Sequence, residues 1–111
     1  GRTAAATEFA HRSGAVVVLK GPGTVVAGPD GRCRVNTTGN CGMAKGGSGD
    51  VLSGVVLALL GLGMDAFDAC CCAVWLHGRA GELAAKTWTE YGATPEDVAG
   101  CLPEAIREIL E

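Results

Sequence analysis

The sequence predicts an α/β fold with a mostly parallel sheet, and three features support this prediction. A run without alternation, Ala15–Leu19, is rich in β-branched residues and is typical of a strand buried on both faces. A glycine-rich segment leads directly into an apolar run, Val51–Leu60, which predicts a buried helix. A helical pattern over Arg2–Arg12 precedes these two elements and another over Asp65–Lys86 follows them, so helices and strands are mixed along the chain.

Local signals predict the remaining elements. Gly14 is a helix C-cap, Pro and Gly mark a hairpin turn, and Thr94 followed by Pro95 and two acidic residues is a helix start. In chain order these elements are a helix over Arg2–Arg12, strands over Val25–Ala27 and Arg32–Val35 around a turn at Gly28–Gly31, a helix over Asp65–Lys86, a helix from Thr94, and a helix over Pro103–Glu111.

Composition indicates an ordinary small globular domain: 111 residues, 48% hydrophobic and 19% charged. The net charge of −3 and the lack of a basic cluster argue against nucleic-acid binding. The longest apolar stretch, Val51–Leu62, is too short and interrupted for a membrane span. No signal peptide is visible, and the six cysteines form no CxxC pair, so we expect reduced thiols and a cytoplasmic protein.

The segment from Asn36 to Asp50 has no periodicity and contains five glycines. Loops of this length inside a compact domain are usually functional or disordered. In Gly46–Asp50 the glycines allow close backbone approach, and the amides entering the next helix lack intrahelical partners. Such a helix start binds phosphate without a lysine. Asp50, at its mouth, is either a general base or a helix N-cap.

A second segment, Lys20–Thr24, follows the first strand. A lysine, two glycines and a threonine offer a cation, backbone amides and a hydroxyl to a nucleotide, although a plain β-turn with a solvated lysine explains the same residues. Neither this segment nor the glycine-rich loop contains a Walker A string or a complete GxGxxG fingerprint.

Taken together, three stretches are similar to the C-terminal half of the ADP- or ATP-dependent NAD(P)H-hydrate dehydratase family. They read VVVLKGPGTVVAGPDGR, VNTTGNCGMAKGGSGDVLSGVV and YGATPEDVAGCLPEAI. The resemblance covers most of the chain from Ala15 to Leu110. It departs from the family at Cys41, where proline is usual, and at Lys45, where a small or hydroxyl residue is common.

This resemblance implies a ribokinase-like, three-layer α/β/α fold, of which residues 1–111 are the C-terminal portion of a single domain. It implies that the hydroxyl of hydrated NADH or NADPH is phosphorylated by ADP or ATP with Mg²⁺, after which phosphate is eliminated. No protein ligand to the metal is assigned. The full-length protein that contains this C-terminal portion is expected to be a homo-oligomer. A chain of this length alone is expected to expose a sheet edge and apolar faces.

The resemblance also implies roles for individual residues. Asp50 is the catalytic base and contacts the hydrated nicotinamide substrate. The nucleotide-binding residues are Lys20, Gly21, Pro22, Gly23, Thr24 and Gly49. Further residues of the nucleotide pocket are Asn36, Thr38, Gly39, Asn40, Gly46, Gly47 and Ser48.

Two other functions stay open at this point. One is a ribokinase-like kinase of a small alcohol or vitamin precursor, which would use Asp50 and the glycine loop identically. The other is an inactive nucleotide-binding fragment. Outside the loops, His77 is interpreted as a core or interface histidine rather than a ligand, and Trp75 and Trp88 as packing residues.

Overall fold

Three short strands and five helices make up the part of the chain that the computed structural model describes, residues 1–39 and 47–111. The elements are α1 (Arg2–Ser13), β1 (Val17–Leu19), β2 (Val25–Ala27), β3 (Cys33–Val35), α2 (Ser48–Gly61), α3 (Ala66–Trp88), α4 (Pro95–Gly100) and α5 (Leu102–Leu110).

The sheet is an antiparallel meander in the order β1-β2-β3, with Val18 opposite Val26 and Val26 opposite Arg34. The hairpin between β2 and β3 confirms the prediction from the Gly28–Gly31 turn. The parallel pairing expected for β1 is not found among the described strands. Lys20–Thr24 is too short for the crossover that a parallel neighbour needs, so it returns the chain as a hairpin.

Helices cover both faces of this sheet. On one face Ala6 and Ala10 of α1 pack with Val25 and Ala27 of β2. On the other face Val26 packs with residues of α3 such as Phe67, and parts of β1 and α2 join this cluster. The layers are therefore α/β/α, as the family resemblance implies. The side chains of β1 also point to both apolar layers, but they are only half-buried because β1 is an edge strand of the described sheet.

The C-terminal helices form a separate apolar cluster with the second half of α3, which includes Leu76, Leu83 and Val98. The predicted start of α4 is confirmed as a full capping box: Asp97 N donates to Thr94 Oγ1, and Thr94 N donates to the Asp97 carboxylate. The predicted C-cap of α1 is confirmed as well, since Gly14 adopts the left-handed conformation with φ 70°.

The prediction that α2 is a buried helix is wrong for the described chain. No residue of α2 is buried, and Leu57 is 68% exposed. The apolar residues that face α3, such as Leu52, Val55 and Val56, are half-buried, whereas no described element covers the opposite side. The expectation of exposed apolar faces is confirmed here. Trp88, interpreted as a packing residue, is 52% exposed at the end of α3, whereas Trp75 does pack against the core.

The described cysteines, Cys33, Cys70, Cys71, Cys72 and Cys101, are all free. Burial raises the pKa of the Cys70, Cys71 and Cys72 thiols, so these side chains behave as small apolar groups. Cys41 lies outside the described residues. In residues 1–39 and 47–111 no helix has the length and apolar character that crossing a bilayer requires.

Candidate functional site

An arginine of α1 forms hydrogen bonds to the loop that connects β1 and β2. The guanidinium of Arg2 donates to the carbonyl oxygens of Leu19, Lys20, Pro22 and Gly23, at 2.6 to 3.3 Å. Since these carbonyls are satisfied by Arg2, the loop does not have to present them to a ligand. This contact leaves no local pattern in the sequence, because Arg2 lies 17 to 21 positions away from its acceptors.

Glycine is required at two positions of this loop. Gly21 and Gly23 have φ values of 137° and 66°, which other residues rarely adopt. A Cβ at Gly21 would also lie 3.1 Å from Arg2 Nη2. The Thr24 hydroxyl donates to the Gly21 carbonyl at 3.1 Å, which closes the turn and leaves the hydroxyl oxygen as an acceptor.

The lysine that opens this loop meets the start of α2. A Cβ built on Gly49 would lie 3.1 Å from Lys20 Nζ, so the ammonium group lies close to the Gly49 backbone, on the side where a side chain would be. Two segments that the sequence places 29 positions apart thus converge on one point. Lys20 is exposed, so its charge remains available to an anion arriving from solvent.

The start of α2 differs from the predicted one. The helix begins at Ser48, three positions before Val51, and Gly47 is its N-cap with φ 90°. Asp50 is therefore the third residue of the first turn and not an N-cap, which rules out the alternative interpretation of this aspartate. The first main-chain bond of the helix runs from Val51 N to Gly47 O at 3.3 Å.

This helix start can bind an anion. The amides of Ser48, Gly49 and Asp50 precede the first intrahelical donor and lie at the positive end of the helix dipole. Gly47 has no side chain with which to cap them. With the Lys20 ammonium alongside, the arrangement presents both oriented amides and a cation to a phosphate. Asp50 is exposed at the same turn, so a second molecule can reach its carboxylate.

Beneath this turn lies His77 of α3, which is only 8% exposed. Its Nε2 is 3.2 Å from Ser48 Oγ. Burial lowers the pKa of His77, and the nearby Lys20 ammonium lowers it further. The expectation of a buried histidine is confirmed, whereas its hydrogen bond to Ser48 at the start of α2 is not predictable from residue patterns.

Residues Asn36 to Gly39 run along α3. Asn36 Nδ2 donates to Val74 O at 3.2 Å, and Thr38 Oγ1 donates to Trp75 O at 3.0 Å. Gly39 N donates to the Glu82 carboxylate at 3.1 Å. These groups of Asn36, Thr38 and Gly39 are therefore engaged with α3, which anchors the predicted pocket residues to a rigid helix.

The close approach of this segment depends on Gly78. A Cβ on Gly78 would lie 2.8 Å from the Thr38 carbonyl carbon, a distance that real Cβ atoms do not show. The sequence suggested close packing at this glycine without revealing the partner. Arg79, one position further on, forms ion pairs with Glu82 and with Glu108 of α5, which explains its presence on the helix.

Two of the predicted pocket residues, Asn40 and Gly46, lie outside the described residues, as does Lys45. In residues 1–39 and 47–111 no group of three or more His, Cys, Asp or Glu side chains is placed to hold a metal ion. Mg²⁺ usually keeps several waters and binds largely through substrate phosphates, so the described residues fit a Mg²⁺ carried by the phosphates of the nucleotide.

Comparisons with known proteins identify the relatives of this chain. The family described as NAD(P)H-hydrate dehydratase matches residues 1–104. A bifunctional NAD(P)H-hydrate repair enzyme from Thermofilum pendens is 46% identical over 99% of this chain and 21% of its own length. An ADP-dependent (S)-NAD(P)H-hydrate dehydratase from Neisseria meningitidis is 49% identical over 74% of this chain and 28% of its own length.

A solved structure extends the likeness to the fold. The ADP/ATP-dependent NAD(P)H-hydrate dehydratase from Bacillus subtilis, co-crystallised with ATP and Mg²⁺, superposes with a TM-score of 0.91 at 38% identity. The match covers 96% of this chain and 39% of that chain. The present chain thus spans between about a fifth and two fifths of the proteins it matches. By sequence and by fold, the chain belongs to the NAD(P)H-hydrate dehydratase family.

Proposed function

We propose that this chain provides the nucleotide-binding loops and the catalytic carboxylate of an ADP- or ATP-dependent NAD(P)H-hydrate dehydratase. The observation that supports this most directly is the closeness of the Lys20 ammonium to Gly49, 3.1 Å from where a Cβ would be. It joins the two loops that the family resemblance assigns to the nucleotide, and Asp50 follows immediately in the chain. The relatives named ADP-dependent dehydratase, and the related structure obtained with ATP and Mg²⁺, point to the same ligands.

In this proposal the phosphates lie between Lys20–Thr24 and the first turn of α2. The amides of Ser48, Gly49 and Asp50 donate to phosphate oxygens, and Lys20 balances their charge. The lack of a side chain at Gly49 leaves room for Lys20 beside the start of α2, and the positive φ values of Gly21 and Gly23 shape the Lys20–Thr24 loop. The pocket is supported by α3, which accepts hydrogen bonds from Asn36, Thr38 and Gly39. It is also supported by α4, where Pro95 lies next to Gly47.

Asp50 acts on the second substrate. Its carboxylate accepts the proton of the substrate hydroxyl as the oxygen of that hydroxyl forms a bond to the terminal phosphorus of the nucleotide. The bond from that phosphorus to the bridging oxygen breaks, and ADP leaves as AMP. Elimination of inorganic phosphate from the phosphorylated hydrate then restores the dihydronicotinamide ring. Mg²⁺, when bound with the nucleotide, neutralises charge on the transferred phosphoryl group.

Several finer points remain predictions for this chain. They are the use of ADP or ATP as the phosphoryl donor, a cytoplasmic location, and assembly of the full-length protein into a homo-oligomer. The assignment of residues 1–111 as the C-terminal portion of one domain is a further prediction. The complete reaction also requires a pocket for the dinucleotide substrate. Asp50 is the one residue of this chain that we assign to that pocket.

Titration calorimetry tests the nucleotide site. ADP with Mg²⁺ should bind this chain, and Lys20→Ala should weaken the affinity about tenfold, as expected for losing one charged partner. Arg12→Ala, which removes an exposed cation of α1 paired with Glu8, should leave the affinity unchanged. No binding of ADP or ATP, or equal affinities for both variants, would contradict the proposal.

Turnover tests the assignment of Asp50. In a full-length protein that contains this chain, hydrated NADH and ADP should yield NADH, AMP and phosphate in equal amounts, and Asp50→Asn should abolish this reaction while ADP still binds. Vitamin precursors with a free hydroxyl serve as competing substrates. Consumption of nucleotide with a precursor but not with hydrated NADH would identify a small-alcohol kinase instead.

A further inference from the structure

The start of α2 lacks a cap of its own. Its N-cap is Gly47, which offers no side-chain acceptor, and no side chain of the helix caps the first turn. A glycine N-cap is stabilised only by its backbone, so the orientation of the Ser48, Gly49 and Asp50 amides depends on contacts from elsewhere. Among the described residues three elements approach this turn: Lys20, just after β1, lies near Gly49, Pro95 of α4 lies near Gly47, and His77 of α3 lies within hydrogen-bonding distance of Ser48.

Of these three contacts, the one from His77 is a side-chain hydrogen bond made from the rigid core. His77 is 8% exposed, and its neighbours on α3, Leu76 and Gly78, are also buried. Its ring therefore has little freedom to follow Ser48 if the turn moves. A buried imidazole left without its hydrogen-bond partner costs free energy, so the 3.2 Å contact favours one position of Ser48.

We infer that His77 is a positioning residue of the proposed nucleotide site: through Ser48 Oγ it fixes the first turn of α2, so that the Gly49 amide and the Asp50 carboxylate keep their places beside Lys20. This inference rests on the proposed function for its consequences. The contact itself and its effect on the turn do not depend on which ligand binds.

The imidazole performs this role in its neutral form. Burial disfavours the imidazolium, and Lys20 adds like-charge repulsion from the end of β1. Arg79 and Glu82, the charged residues that follow on α3, are engaged with each other. A neutral ring has one donor and one acceptor, so Nε2 can pair with the Ser48 hydroxyl in either direction.

Three variants separate the hydrogen bond from packing. His77→Leu keeps an apolar side chain in the core and removes the hydrogen bond. His77→Gln keeps a polar group near the position of Nε2. Ser48→Ala removes the partner from the other side. His11→Gln, on the exposed surface of α1, is the matched control.

We expect His77→Leu and Ser48→Ala each to weaken Mg²⁺–ADP binding about three- to tenfold, in line with the loss of one hydrogen bond. The double variant should be no weaker than either single variant, and His77→Gln should bind within about twofold of the wild type. Additive losses in the double variant, or equal losses for His77→Leu and His77→Gln, would overturn the inference. So would wild-type affinity in all variants.

Hydrogen exchange at the Val51 amide provides a readout that needs no nucleotide. This amide closes the first turn by donating to Gly47 O. Its exchange should be faster in His77→Leu and in Ser48→Ala, and unchanged in His77→Gln. Unchanged exchange in His77→Leu would overturn the inference even if the wild type binds ADP. Absence of ADP binding by the wild type, with the exchange pattern as expected, would overturn the proposed function and leave the positioning of the turn by His77 supported.

Discussion

The Lys20 ammonium occupies the space that a side chain on Gly49 would need, with only 3.1 Å between Nζ and the position of such a Cβ. Gly49 is therefore not selected for conformational freedom, because its φ is not positive and it lies in the first turn of a helix. The absence of its side chain is what lets a cation approach the amides at the start of α2. The two residues together form the centre of the proposed phosphate site.

Gly49→Ala should separate stability from binding. The lysine end is flexible and can move away, and alanine is the better helix former, so we expect the free energy of unfolding to stay equal or to rise by up to about 1 kcal/mol. Affinity for Mg²⁺–ADP should fall about tenfold or more, because the methyl group displaces Lys20 and blocks the phosphates. Urea unfolding and calorimetry measure the two quantities.

Gly54→Ala is the control for this experiment. Gly54 lies on the same helix, and a Cβ there would meet nothing within 4 Å. It should gain a similar stability, about 1 kcal/mol, and bind nucleotide as the wild type does. Equal affinity in Gly49→Ala and Gly54→Ala would show that no ligand approaches the Gly49 backbone.

Arg2→Met should weaken nucleotide binding although Arg2 is not expected to touch the nucleotide. Without its guanidinium, the carbonyls of the Lys20–Thr24 loop lose a shared donor, and the loop is free to adopt other conformations before the ligand binds. Arg2→Lys should restore little, since an ammonium group cannot reach all four carbonyls in the planar arrangement of a guanidinium. Calorimetry with Mg²⁺–ADP gives the comparison.

Arg12→Met, on the same helix, provides the control, because Arg12 is exposed and pairs with Glu8 across one turn of α1. It should leave both affinity and stability close to those of the wild type. If Arg2→Met binds as tightly as Arg12→Met, the loop is pre-organised by its own glycines and turn bonds, and the support from α1 is unnecessary.

The features that the sequence predicted are those determined by local chemistry. The Gly14 cap and the Thr94–Asp97 capping box involve residues at most a few positions apart, so both can be recognised from the sequence alone. The convergence of Lys20 with the glycine-rich loop was expected from a family resemblance, and residue patterns alone did not predict it.

The features that the sequence did not predict depend on distant partners. The antiparallel pairing of β1 follows from loop length, and the exposure of α2 follows from which elements cover it, whereas its composition indicated burial. Arg2 and His77 act across 17 or more positions, so their contacts leave no local pattern. The predicted start of α2 at Val51 is three residues later than the observed start at Ser48, because glycines in the first turn are not typical of a helix.

Gly78→Ala should destabilise the chain. The added methyl would lie 2.8 Å from the backbone carbon of Thr38, and neither that backbone nor the middle of α3 can move cheaply. We expect a loss of about 1–3 kcal/mol in the free energy of unfolding, as for overpacking elsewhere, despite the better helix propensity of alanine. Gly100→Ala, where the space is open, should lose nothing. Urea unfolding of both variants measures the difference, and equal midpoints would mean that Asn36–Gly39 is not anchored against α3.

Acidification should weaken the fold through His77. Its pKa is lowered from 6.5 in the folded chain, so between pH 6.5 and that lower value the unfolded chain binds a proton that the folded chain does not. Protonation therefore favours unfolding, and stability should fall as the pH drops from about 7 towards 5. The slope for one such group cannot exceed about 1.4 kcal/mol per pH unit.

His77→Gln removes this titration and should flatten the stability profile above pH 5, whereas His11→Gln, at an exposed position, should retain the slope. Carboxylates with lowered pKa values, such as Asp65 and Glu108, have unfolded values of 3.8 and 4.5, so they act mainly at lower pH and do not obscure the effect. Urea midpoints at half-unit pH steps give the profile. If the stability of His77→Gln still falls as the pH drops from 7 towards 5, another group takes up the proton. The imidazole of His77 would then not be the buried, neutral hydrogen-bond partner that positions Ser48 and the first turn of α2.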